Sequence, residues 1–195
     1  MIEQGDNRGT SALFWLARSE SGRCILQKLI KIGVTIDSNA LNRMIEQGPN
    51  RGESALFWLA RSESGLHMLQ KMIDRDVTID STALNHVIEQ GPYQGLSALS
   101  WLAKTRIGRK ILSKYLSSMI RVNCLSTETI IDLFQSYDLA YQLANNDYIR
   151  ERFDKNPLPF CANLEALRVV KSLFGSGHNV CDAILSYQAK GWPII

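Results

Sequence analysis

Residues 51–65 read RGESALFWLARSESG, and residues 8–22 read RGTSALFWLARSESG, one substitution apart. Laid against each other, residues 1–43 and 44–86 differ at eleven of 43 positions. A third copy starts at Val87 (VIEQGPYQGLSALSWLA) and fades after about Leu116, so Trp15, Trp58 and Trp101 mark a 43-residue period. Self-similarity at such a period is the mark of a repeat array, in which one unit cannot bury its apolar faces alone and stacked units can.

Each copy reads as helices. Ser11-Ala12-Leu13-Phe14-Trp15-Leu16-Ala17 is apolar almost all round, as a helix between neighbours should be. Ser11, with Ser54 and Ser97, stands where an N-cap hydroxyl belongs. Past RSESG, the run Ile25-Leu26-Gln27-Lys28-Leu29-Ile30 predicts a second, amphipathic helix. Gly33 suits a left-handed helix end, with Asp76 in the same place one copy later. A third short helix is predicted from an N-cap at Ser38, burying Ala40, Leu41, Met44 and Ile45 and stopping at Gly48 before Pro49. The copied residues Ala55, Leu56, Trp58, Leu59 and Ala60 read as core, so repetition is read as packing rather than chemistry.

The stretch DNRGTSALFWLARSESGRCILQKLIKIGVTID resembles an ankyrin repeat, with Asp6, Gly9, Ser11, Leu13, Ala17, Gly22, Leu29 and Gly33 in the matching places. It departs from that pattern in three ways. Ala12 replaces the helix-starting proline, Phe14 replaces the histidine, and RSES implies a longer turn between the helices. A third helix in place of the usual β-hairpin stretches the unit to 43 residues. The S-A-L-F-W-L-A repeats are also similar to those of secreted effectors of intracellular bacteria. The resemblance implies an all-α fold: an α-solenoid of ankyrin-like three-helix repeats with a C-terminal helical cap. The array covers residues 1–116 (1–43, 44–86 and a partial 87–116), and 117–195 form the cap or a small helical domain. Met1 to Gln4 correspond to the end of a third helix, and no polar-faced cap precedes the first copy. The expectation is either a piece of a longer repeat protein or a face that meets a partner or a second copy of the chain.

Past Ser117 the helical pattern continues without the repeat, in STETIIDLFQSY (N-cap Ser126 or Thr127), DLAYQLANNDYIRERF, ANLEALRVVKSLF and NVCDAILSYQAKG. Four atypical helices after an array most simply form its cap.

A 45% hydrophobic, 21% charged composition with net charge +3 is that of an ordinary globular chain and does not announce nucleic-acid binding. No apolar run approaches the roughly 18 residues of a membrane span. Cys24, Cys124, Cys161 and Cys181 show no C-x-x-C spacing, which favours reduced thiols in a cytoplasm, or in a host cytosol for a secreted effector. There is no P-loop, G-x-G-x-x-G or H-E-x-x-H, so neither cofactor nor metal is expected. The best catalytic pair is Cys161 with His178, a thiol and a base, near Cys181 and Asp182. A buried cysteine and a helix-start histidine explain those residues as well.

Positions where the copies disagree are not fixed by packing. Asn7/Asn50/Tyr93 and Thr10/Glu53/Leu96 vary at the approach to the first helix, the surface that binds partners in ankyrin-like modules. Residues 87–116 carry Lys104, Arg106, Arg109, Lys110 and Lys114 against Glu89 alone, which suits an acidic protein partner. No exposed aromatics interleave with these bases, so nucleic acid is not expected. The expected function is a non-catalytic protein–protein interaction scaffold using these positions. The alternative is an enzyme with a cysteine-based site in the C-terminal region and repeats that recruit substrate.

Overall fold

The computed structural model describes residues 10–143, 146–149 and 151 of the chain. They are mostly helical, and among them there is no strand beyond one isolated antiparallel bridge, Met44 with Ser54. The chain divides into two compact units at Ile120/Arg121. In the first lie α1 (Ala12–Arg18), α2 (Glu20–Lys31), α3 (Ser38–Asn42), α4 (Ala55–Ala60), α5 (Glu63–Ile73), α6 (Ser81–Asn85), α7 (Ala98–Lys104) and α8 (Arg106–Ile111), the last running on into a π-helical turn at Leu112–Leu116. In the second, α9 (Thr127–Phe134) and α10 (Tyr137–Leu143) pack on each other, and Ser126 rather than Thr127 caps α9. Cys161, His178 and the last two predicted helices lie outside the described residues.

Three side-chain caps recur 43 residues apart. Ser11, Ser54 and Ser97 accept from the amides of Phe14, Phe57 and Ser100 at 3.1–3.2 Å and start α1, α4 and α7. Ser19, Ser62 and Thr105 accept from Gly22, Gly65 and Gly108 at 3.0–3.1 Å and start α2, α5 and α8. Asp37 and Asp80, not Ser38, cap the third helices. Because each cap satisfies an amide that the helix leaves open, the chain can turn sharply without a buried orphan. The turn at RSES is therefore short, where its departure from the ankyrin pattern predicts a longer one. Ser19 both ends α1 and caps α2, and only Arg61 and Ser62 separate α4 from α5.

Within each pair the second helix starts against the backbone of the first. A Cβ on Gly65 would lie 2.8 Å from Leu59 Cα and against its carbonyl oxygen, and one on Gly108 would lie 2.6 Å from Leu102 Cα. Successive pairs then stack: α1 packs on α4 and α4 on α7, while α2 packs on α5 and α5 on α8. With a neighbour on either side, every residue of α4 is buried. Trp15, Ile25 and Val34 of the first copy are exposed where their counterparts Trp58, Met68 and Val77 are buried.

One residue stitches copy to copy. The Asn42 amide donates to Ser38 O and Thr78 O, both at 2.8 Å, and its oxygen accepts from the Asp80 amide at 2.8 Å. Asn85 repeats this by donating to Ser81 O and Met119 O. The bond back to Ser38 also closes α3 at Asn42. The predicted helix to Gly48 is thus a five-residue helix, and Met44 lies in the bridge to Ser54 instead.

Gly65→Ala puts a methyl group against backbone that cannot rotate away, and is expected to cost about 2–3 kcal/mol. Urea unfolding beside the exposed neighbour Ser64→Ala checks this; equal effects would mean that α5 can back off from α4.

Candidate functional site

After α3 and α6 the chain builds the same loop twice. In residues 43–54 the Ile45 amide donates to Glu53 O and the Gly52 amide to Ile45 O, both at 2.9 Å. In residues 86–96 the Ile88 amide donates to Leu96 O at 2.9 Å and the Gly95 amide to Ile88 O at 2.8 Å. Gly48, Gly52, Gly91 and Gly95 hold φ between 81° and 87°, where a side chain would be strained, and this rules out the longer third helix. The tips Glu46 to Pro49 and Glu89 to Pro92 are exposed. Between the loops lies a groove of about 430 Å³, lined by Met44, Ile45, Glu46, Arg51, Gly52, His86, Glu89 and Gln90.

Beside the loops runs a column of cations and rings. The Arg18 guanidinium sits 5.7 Å from the Trp15 ring and 5.3 Å from that of Trp58. The Arg61 guanidinium lies 4.5 Å from Trp58, 4.2 Å from Tyr93 and 5.5 Å from Trp101. Lys104 Nζ lies 4.8 Å from Trp101. Arg18, Arg61 and Lys104 occupy one position of the three copies, so the copied residues do more than fill a core. Arg18 and Arg61 had no role assigned from the sequence, because a cation at a helix end looks like solvated surface until a ring from the next copy is seen beneath it.

Glu53 is buried and accepts from Trp58 Nε1 at 2.8 Å. Burial pushes its carboxyl above the ordinary value near 4.5, opposed by the Trp58 hydrogen bond and by the Arg18 and Arg61 charges. Leu96 takes this position in the third copy, and there Trp101 Nε1, like Arg61 Nε, is buried with no hydrogen-bond partner among the described residues.

The predicted binding positions therefore separate. Thr10 and Glu53 are buried, so their variation reflects different packing rather than free surface drift. Asn50, Tyr93 and Leu96 are half-buried, with Tyr93 packed on Phe57 and Trp58. Asn7 lies outside the described residues. Lys104, Arg106, Lys110 and Lys114 are exposed, and Tyr115 beside it raises the Lys114 ammonium. Arg109 instead donates to Ala103 O at 2.7 Å, as Arg23 does to Ala17 O at 2.9 Å, each closing the preceding helix. The Leu66 that replaces them is buried.

No described helix is long and apolar enough to cross a membrane. Among the described residues no group of three or more His, Cys, Asp or Glu could hold a metal ion. Comparison with family models, with curated proteins and with solved structures finds no match for the chain.

Below about 4.5 Glu53 is protonated in folded and unfolded chains alike. As pH rises past that value the unfolded chain ionises first, so the folded state loses stability until its own raised value is passed. Glu53→Gln removes this dependence. Melting temperatures from about pH 4 to pH 7 should show wild type falling relative to the variant just above 4.5, and parallel curves would refute the shift.

Proposed function

We propose that the chain is a non-catalytic scaffold for a protein partner, built as an α-solenoid of ankyrin-like repeats with a helical cap from residue 117 on. The observation that carries this reading is the pair of loops with the same backbone hydrogen bonds, 43–54 and 86–96, with exposed tips and a groove of about 430 Å³ between them. The groove offers both signs of charge, from Glu46, Glu89 and Arg51, around the edges of Met44 and Ile45. Rigid backbone held by paired loop bonds lets such a surface bind without first ordering itself, which is where a preformed scaffold gains over a flexible one.

The row of first helices beneath the loops is supported by contacts between copies, from Asn42 to Thr78 and Asp80 and from Arg18 to Trp58. Self-association is a second reading, favoured by exposed Trp15, Ile25, Ile32 and Val34 on the first copy. Sedimentation across concentration, with Trp15→Ser and Ile25→Ser together as the control, tests it; an unchanged single species would sink it.

Affinity capture from a eukaryotic lysate tests the scaffold directly, using the intact chain and a variant with Glu46, Arg51, Glu89 and Gln90 all changed to alanine. These side chains are exposed, so the variant should melt with the wild type. A partner held by the intact chain is expected to weaken by about tenfold or more when the loop side chains are cut back. Capture that survives unchanged would remove the loops from the interface, and no specific partner at all would overturn the scaffold reading.

A further inference from the structure

Along the second helix, residues 20–31, 63–74 and 106–117 agree in all three copies at only three positions. One is the glycine Gly22, Gly65 and Gly108, which the backbone of the preceding helix forbids to carry a Cβ. The next is Leu26, Leu69 and Leu112, fully buried in every copy. The third is Lys28, Lys71 and Lys114, exposed in every copy. The fold accounts for the first two; at the third position Lys114 Nζ lies 4.5 Å from the Tyr115 ring, a contact the other two lysines lack among the described residues. Lys28 and Lys71 make no hydrogen bond or ion pair with any described residue, and glutamine or arginine would suit an exposed helix position as well. Another position exposed in all three copies has drifted freely, as Cys24/His67/Lys110 shows.

Lys28 lies on α2, Lys71 on α5 and Lys114 on the π-helical turn that continues α8, so the three form a row along the stacked second helices. α2 packs on α5 and α5 on α8, and the axes of packed helices lie about 8–10 Å apart, which sets the step of the row. Like charges at that spacing repel weakly across water, and a ligand of opposite sign would relieve them. Between α2 and α5 the row opens into a groove of about 760 Å³ rimmed by Lys28, Lys31, Lys71 and Arg75, with Ile30 at its lining. Arg75 is held across the groove by donating to the Ile30 carbonyl. The acid within the groove, Asp74, accepts from the Tyr115 hydroxyl at 2.7 Å.

We propose that this row binds an extended acidic segment of the partner protein, with carboxylates at every third residue. In the extended polyproline II conformation a chain turns once every three residues and rises about 3.1 Å per residue, so every third side chain lies on one face and one turn matches one interhelical step. The groove favours a peptide over a lipid surface, because side chains between the carboxylates can enter it, whereas a flat anionic bilayer would rest on the lysines alone. The proposal rests on the scaffold reading and names the chemistry of its partner.

Fluorescence anisotropy with a labelled glycine–serine peptide carrying glutamate at every third position tests it, beside a peptide of the same composition with its glutamates adjacent. The intact chain is compared with the triple variant Lys28→Gln, Lys71→Gln, Lys114→Gln, whose melting curve should match wild type. The spaced peptide should bind more tightly than the clustered one, and the triple variant should weaken it about tenfold, the sum of three exposed pairs. Added salt should loosen it further. Equal binding of the two peptides, or of wild type and triple variant, overturns the row as a peptide site. So does binding through these lysines to vesicles of about one-third phosphatidylserine when neither peptide binds. A row that fails while lysate capture still depends on the loops leaves the scaffold standing. Peptide binding by a chain that captures no partner supports the row and removes the scaffold.

Discussion

The contact on which the first unit depends is that between the start of each second helix and the backbone of the first. At Gly22, Gly65 and Gly108 the two helices come so close that even a methyl group has no room. Ser19, Ser62 and Thr105 make the approach affordable by taking the amide of that same glycine. Cap and glycine therefore act as one device. The hydroxyl turns the chain within one or two residues, and the missing side chain lets the turned helix lie flat on its predecessor. Once each pair is closed this tightly, its two faces are smooth enough for the next pair to cover, and α4 ends with no exposed residue.

Stacking of identical pairs brings side chains 43 residues apart into register, and this generates interactions that no single copy contains. Arg18 reaches Trp58, and Arg61 reaches Tyr93 and Trp101. A guanidinium over a ring contributes about 0.5–1 kcal/mol when exposed and about 2 when desolvated, so the half-buried Arg61 with three rings around it is the strongest candidate for holding copies together. Glu53 belongs to the same column. Its burial is unfavourable to the ionised form, and the Trp58 indole and the two arginines offset part of that cost. Where Leu96 replaces it, the desolvation cost of a carboxylate disappears, and the Trp101 indole loses its acceptor.

What could be read in the chain before its structure follows from how local each cause is. The helices and the serine caps Ser11, Ser54 and Ser97 depend on a few neighbouring residues, and they lie where periodicity and capping chemistry indicate. Gly33 and Asp76 end their helices with φ of 90° and 64°, again a local property. Met44 and Ile45 continue the apolar pattern of the third helix and so predict a longer helix than the chain forms. Its true end is set by the Asn42 side chain and by two glycines that must turn left-handed four residues apart, a loop signature masked by the hydrophobic run. The column of Arg18, Arg61 and Lys104 was illegible for a different reason: its partners lie one copy away, at a distance that only the stacking defines.

Variation and identity among the copies thus carry different meanings once exposure is known. A changed residue is not always free. Thr10 and Glu53 are buried and Leu96 half-buried, each against different neighbours, and Arg23, Leu66 and Arg109 differ because two of them close a helix and one fills a core. An unchanged residue is not always packed, either. Duplication alone explains likeness between the first two copies, since they still agree nearly throughout, but the third has diverged at half of residues 87–116. Identity that survives into that copy needs a cause there. Closeness of backbone supplies one for Gly108 and burial supplies one for Leu112, whereas Lys114 is exposed, with the Tyr115 ring 4.5 Å from its Nζ. A ring beside one lysine does not explain the same charge at Lys28 and Lys71, whereas an anion that meets all three would.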